Sequence, residues 1–226
     1  MKAIAVSTLT ALALCACGTS STPSRAATSG IQPGQFVRVV DNPWFPLKTG
    51  SVWRYEGVKD GKPSTDVVKV SGATKTILGV TTTAVSDRLY ENGKLEERTT
   101  DWYAQDRKGN VWYFGENTAE LDSHGKVKST EGTWQAGMNG AQPGIYMPAH
   151  PHPGQSGRQE FYKGHAEDHF RVLRRTRSAV LTEEWTPLEP GVLDHKHYRR
   201  GVGTVLEETV KGGTERNVLV SFKAGS

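Results

Sequence analysis

Apolar and polar residues alternate in short runs along most of the chain, and polar clusters containing glycine separate the runs. Val52-Trp53-Arg54-Tyr55 passes through Lys59-Asp60-Gly61-Lys62 into Asp66-Val67-Val68-Lys69-Val70. An Asp-Gly pair between two β-rich runs predicts a hairpin, because both of its residues tolerate the left-handed backbone that a tight turn requires. Thr81-Thr82-Thr83-Ala84-Val85 continues through Leu89-Tyr90 to Glu91-Asn92-Gly93-Lys94, a second turn of the same kind. Asp101-Trp102-Tyr103-Ala104-Gln105 meets Asn110-Val111-Trp112-Tyr113-Phe114 across Asp106-Arg107-Lys108-Gly109, and the stretches 203–210 and 214–222 close on Lys211-Gly212-Gly213. No stretch carries a sustained 3.6-residue apolar period. The pattern predicts an all-β domain, an antiparallel sandwich or barrel of about 10–13 strands with few short helices. The best short helix candidate is His165 to Phe170.

One region breaks the rhythm. Gly137 to Gly144 and Pro148 to Gly154 are rich in Gly and Pro and flank Ile145-Tyr146-Met147. Long irregular segments of this kind serve either as binding loops or as crossovers between sheets.

The N-terminus has a different character. Lys2 precedes an apolar run from Ala3 to Leu14, the layout of an export signal too short to remain as a membrane span. Leu14-Cys15-Ala16-Cys17 resembles a bacterial lipobox. That resemblance implies cleavage before Cys17, a diacylglycerol on its sulfur and an acylated new N-terminus. The chain then divides into a signal peptide (1–16), a lipidated flexible tether (17–34) and one β-rich domain (35–226). Ordinary secretion, with cleavage near Arg25-Ala26-Ala27, is the alternative.

Composition sharpens this picture in two ways. Both cysteines, Cys15 and Cys17, lie in the leader region, so the folded part has neither disulfide nor thiol. This excludes cysteine nucleophiles and thiolate zinc sites there. The charge balance is mild, 28 Lys and Arg against 24 Asp and Glu, and Arg174-Arg175-Thr176-Arg177 is the densest basic run. In an anchored protein that run suits either a solvated face or anionic lipid headgroups. Export argues against a nucleic-acid partner.

Asn42-Pro43-Trp44-Phe45-Pro46-Leu47-Lys48-Thr49-Gly50 is followed by Trp53 and Tyr55, and later by Asp101 to Asp106, Gly109 to Glu116, Trp185 to Gly191 and Tyr198 to Gly203. Together these resemble a group of bacterial envelope lipoproteins of uncharacterised function, over about Asp41 to Phe222. The resemblance implies an exported β-rich domain and supplies no catalytic residues. The same motifs have plain structural uses. Pro43 and Pro46 stiffen the approach to the first strand, and Trp44 and Phe45 can plug a sheet end. Gly201 and Gly203 permit a bulge before the final hairpin.

Two constellations could carry chemistry. His150 with His152, and His195 with His197, share a face if extended, whereas His165 and His169 share one if helical. With Glu160, Glu167 and Asp168 nearby they could ligate a divalent metal if they converge. The second constellation is aromatic. Asp101, Tyr103 and Gln105 alternate with Trp102 and Ala104, and Val111 and Tyr113 alternate with Trp112 and Phe114. One face belongs to the core, and the other could line a cleft. The candidate contacts are Trp102, Tyr103, Trp112 and Tyr113, with Met138, Tyr146, Met147 and His150 as a rim. Gly154-Gln155-Ser156-Gly157-Arg158 lacks the last glycine of a nucleophile elbow, and the chain contains no His-Glu-x-x-His, phosphate-binding or dinucleotide motif.

Three functions fit. The first is a non-catalytic, membrane-anchored envelope lipoprotein holding a small apolar, lipid or glycan ligand. The second is a structural envelope lipoprotein. The third is a metal-dependent hydrolase using His150, His165, His195 and neighbouring carboxylates. No catalytic residue, metal ligand or cofactor is assigned, and Cys17 is the lipidation site.

Overall fold

The structure, a computed structural model, describes residues 30–225. Cys17 and the leader therefore lie outside the described residues. A 3-10 turn, Pro33–Gln35, leads into β1 (Phe36–Val37). The long hairpins follow: β2 (Val52–Lys59), β3 (Lys62–Ile77), β4 (Val80–Glu91), β5 (Lys94–Asp106) and β6 (Val111–Leu121). Two short strands, β7 (Val127–Ser129) and β8 (Trp134–Gln135), precede β9 (Gln142–Met147), β10 (Ser156–Arg158) and β11 (Glu160–Phe161). The chain ends with β12 (His169–Arg175), β13 (Ala179–Trp185), β14 (Leu193–Arg199), β15 (Gly203–Lys211) and β16 (Arg216–Lys223).

The hairpin turns follow the residue chemistry. Asp60-Gly61 and Asn92-Gly93 each place two successive residues at positive φ, as a type I′ turn requires. A third such turn, Leu78-Gly79, holds Leu78 at φ 52°. Nothing in that leucine signals a turn.

All pairings are antiparallel, and neighbours run β12-β13-β14-β15-β16-β2-β3-β4-β5-β6-β9. The first long strand thus pairs with the last, β2 with β16. The remaining gap is filled by one stretch of chain: β10 pairs with β12, β11 pairs with β9, and Gln159 alone separates the two. The sheet closes into a barrel through this segment, which leaves no long edge exposed to foreign strands. Gly144 makes the closure possible, since a Cβ there would sit 2.4 Å from the Arg158 carbonyl oxygen. The irregular 137–154 region is therefore less loop-like than its composition suggests, because β9 runs through its centre.

The proposed helix at His165 to Phe170 is not formed. Lys163 to His165 make a turn closed by the Tyr162–Ala166 bridge, and His169 already belongs to β12. Its residues complete the barrel wall instead, a tertiary demand that outweighs a weak local preference.

Strand alternation divides the wall into an inner and an outer set. A bulge in β6 modifies it. Trp102 faces Gly115 and Tyr103 faces Tyr113, so Phe114 is the extra residue. Parity changes there, and both Tyr113 and Glu116 line the interior. Gly115 adopts φ 134°, and a Cβ on it would lie 2.4 Å from the Trp134 carbonyl oxygen.

Val40 to Leu47 plug one end of the barrel, with Val40 and Trp44 buried. Gln105 fixes this plug, its Oε1 accepting the amides of Asp41 and Asn42 while its Nε2 donates to Asp41. Asn42 Nδ2 donates to the carbonyls of Gly109 and Pro148. The expectation that Trp44 and Phe45 stop a sheet end matches this placement.

Closure at Gly144 gives a direct test. Gly144→Ala should lower unfolding free energy by about 1–3 kcal/mol in a denaturant titration, the usual range for overpacking. Gly34→Ala, with nothing within 4 Å of its added Cβ, should change it by less than about 0.5 kcal/mol. Equal effects would contradict the closure.

Candidate functional site

The barrel encloses a cavity of about 430 Å³. Phe45, Pro46 and Leu47 of the plug form its floor, and Trp53, Tyr55, Tyr103, Tyr113 and Tyr146 line the lower wall. The exposed residues Glu131, Gly164, His165 and Leu188 lie at its mouth, at the end opposite the plug.

The floor is aromatic. Tyr103 and Tyr113, paired across β5 and β6, stack with centroids 4.8 Å apart. Tyr146 of β9 meets the Tyr103 ring edge-on at 5.1 Å, and Phe45 lies 4.6 Å from Tyr146 and 5.2 Å from Tyr103. The Tyr113 hydroxyl donates to Asp101 Oδ1 at 2.6 Å.

Above this floor the wall is acidic. Asp66, Asp87, Asp101, Glu116, Glu160, Glu184, Asp194 and Glu207 line the cavity, and Lys196 is the one Lys or Arg among the described lining residues. Burial pushes the Asp66 carboxyl well above the ordinary range, and the neighbouring Asp87 adds to the effect. Burial likewise raises Asp101, helped by Glu116 and opposed by the Tyr113 hydrogen bond. Burial alone would lower Lys196, but Glu184 at 2.9 Å and Glu207 at 3.4 Å outweigh it and hold the ammonium charged. Glu207 is raised by burial and brought below its ordinary value by the same lysine. Glu184 is fixed further by the Thr182 and Tyr198 hydroxyls at its Oε1. The cavity therefore combines stackable rings, hydroxyls, acids and one positive charge.

Of the residues singled out from sequence, Tyr103, Tyr113 and Tyr146 meet in this cavity. Trp102 and Trp112 lie on the opposite side of the wall. Lys75 Nζ covers the Trp102 ring at 3.6 Å, while Trp112 packs against Phe36 and donates its indole N–H to Asp106. Met147 is buried away from the cavity, and Met138 and His150 are exposed elsewhere.

The histidine regions do not meet. His195 and His197 share a face of β14, as their spacing suggests, but Asp194 and Lys196 are the residues that line the cavity. His165 stacks on Tyr162 at the mouth, His169 stacks on Trp185, and His150 and His152 are exposed on the 148–155 loop. Among the described residues no three His, Cys, Asp or Glu side chains form a metal-holding group. Tyr55, Gln159, Lys196, Asp66, Asp87 and Asp194 were not singled out as site residues from sequence, Phe45 was expected only as a sheet-end plug, and Glu160 only as a possible metal ligand beside the histidines. Alternation pairs Asp194 with Lys196 as clearly as His195 with His197, but does not say which pair faces inward.

No protein-family model matches the chain, and no curated protein matches it. Among solved structures it is similar to a protein described as exported, with a YmcC-like fold, from Bacteroides fragilis. That match has TM-score 0.45 and 14% identity, covering 80% of this chain and 99% of the other. It is also similar to a protein described as a lipoprotein from Parabacteroides distasonis, with TM-score 0.40 and 12% identity, covering 80% of this chain and 98% of the other. Both scores lie under 0.5, too loose a likeness to carry function across.

The interior acids set a pH dependence. Asp66 and Asp101 keep protons in the folded state at pH values where the unfolded chain has released them, so stability falls as pH rises above the ordinary carboxyl value of 3.8. Asp66→Asn removes one such group. Its urea midpoint should fall less than that of wild type between pH 3.8 and neutrality, and an unchanged slope would contradict a raised Asp66.

Proposed function

We propose that this chain is a lipid-anchored, non-catalytic envelope protein whose barrel holds a small ligand with a stackable face and hydrogen-bonding groups, a glycan being the best fit. The observation that carries the reading is the open-mouthed cavity of about 430 Å³, with Phe45, Tyr103, Tyr113 and Tyr146 at its closed end. This volume lies in the ordinary range of ligand pockets. Tyrosine rings offer flat faces to a sugar ring, and their hydroxyls can orient it. The acids accept hydrogen bonds from ligand hydroxyls when ionised and can donate when protonated. A wholly apolar ligand, such as an acyl chain, suits the wall less, because it would leave those polar groups facing hydrocarbon.

Export and anchoring are supported by the Lys2 to Leu14 signal pattern, by the lipobox at Cys17 and by the resemblance to envelope lipoproteins. The scattered histidines favour binding over metal-dependent hydrolysis.

Native mass spectrometry of gently purified protein tests the binding claim, by detecting a retained small molecule. Tyr103→Ala and Tyr113→Ala should each weaken retention by about 1–3 kcal/mol, the contribution expected of one buried ring. Trp112→Ala, on the far side of the same wall, should lower stability while leaving retention intact. Retention that survives both tyrosine changes would contradict the site.

A further inference from the structure

We propose that the plugged end of the barrel docks on the headgroups of an anionic phospholipid bilayer, so that the cavity mouth faces away from the membrane. This rests on the anchor reading above for its geometry, but on a separate set of residues for its affinity.

The plugged end is a continuous surface. Gly201 N–H donates to the Pro43 carbonyl, Arg200 N–H to Ser178, and Asn42 Nδ2 to Gly109, which joins the β14–β15, β12–β13 and β5–β6 turns to the plug. Its exposed charges are positive apart from Asp41: Arg107 and Lys108 on one turn, Arg175 and Arg177 on the next, Arg199 and Arg200 on the third. The guanidinium groups of Arg175 and Arg200 lie 5.8 and 5.4 Å from the buried Trp44 ring. Together with Arg177 and Ser178 they line a surface recess. Among the described residues, none of the six cations forms a salt bridge.

Acids offset them only in part. The plug and these turns carry two, Asp41 and Asp106, against the six cations, and neutral donors hold both carboxylates in place. Asp41 accepts from Gln105 Nε2. Asp106 accepts from the amides of Lys108 and Asn110, from Asn110 Nδ2 and from the Trp112 indole. The mouth end differs, since its turns mix Asp60, Glu91, Asp122, Glu167 and Glu189 with lysines.

The chain leaves the domain at the basic end. Arg107 donates its backbone N–H to Gln35 and its Nε to Gly34, and a Cβ on Gly79 would touch Pro33. Cys17 lies thirteen positions before Gly30. Thirteen residue steps reach at most about 45 Å. A domain held that close meets the bilayer at high effective concentration, with the tethered end nearest. Each exposed Lys or Arg near an anionic surface contributes favourably there.

The test uses the mature chain from residue 17 with Cys17→Ser, so that no acyl group contributes. It should sediment with vesicles of phosphatidylethanolamine and phosphatidylglycerol, and neither with pure phosphatidylcholine vesicles nor at high salt. Arg175→Glu, Arg177→Glu and Arg200→Glu together should reduce binding at least about tenfold. Lys94→Glu, Lys126→Glu and Lys163→Glu, an equal charge change at the mouth end, should leave it within about threefold, since those groups lie beyond the screening distance. Equal losses from both triples, equal binding to neutral vesicles, or binding to dextran sulfate but not to anionic vesicles would overturn the proposal. Detergent-phase partition of wild type against Cys17→Ser reads the anchor separately: if Cys17→Ser stays in the detergent phase, the anchor fails while docking can still stand.

Discussion

Residues Ser156 to Phe161 hydrogen-bond to β12 on one side and to β9 on the other, and this short segment turns a long curved sheet into a closed ring. Without it the sheet would end in two edges. With it, every inward-facing side chain from eleven strands is committed to one interior. Gly144 allows the two backbones to approach, and the bulge at Gly115 sets which β6 side chains face inward. The cavity, its closed floor and its mouth follow from that ring.

The interior is not built like an ordinary core. A packed apolar filling would stabilise the barrel better than buried acids, since burying a charge is unfavourable without a partner. Here one lysine holds two glutamates ionised, while Asp66 and Asp101 are displaced toward their neutral forms. The apolar packing that supports the fold lies partly outside the ring, where Phe36 packs against both Trp112 and Phe114. That division leaves the inner face available for polar recognition. It is a familiar trade in which stability is given up at a functional site.

Much of the fold was legible in the sequence. Asp60-Gly61 and Asn92-Gly93 announce their turns through chemistry, and the spacing of β-rich runs gives the fold class. Leu78-Gly79 escapes because its leucine is forced into a left-handed conformation by the strands on either side. His165 to Phe170 misleads because ring closure pulls His169 into β12. The candidate site was legible in part. Alternation separates Asp101 and Tyr103 from Trp102, but aromatic residues on both faces conceal which side is inside. Lys196 sits between two histidines that draw attention outward. The two carboxylates that hold it come from other strands, β13 and β15, and local pattern cannot reveal such convergence.

An open interior is the claim on which the functional account stands. The folded domain lacks cysteine, so one introduced thiol can report on it alone in the chain from residue 17 with Cys17→Ser. Thr118 lines the cavity, whereas Val70 is fully buried and does not. The measurement is the rate at which a small thiol reagent labels Thr118→Cys and Val70→Cys in the native protein. The account expects rapid labelling at position 118, slowed by a bound ligand, and protection at position 70 until global unfolding. Equal protection at both positions would mean a closed, filled barrel and would contradict it.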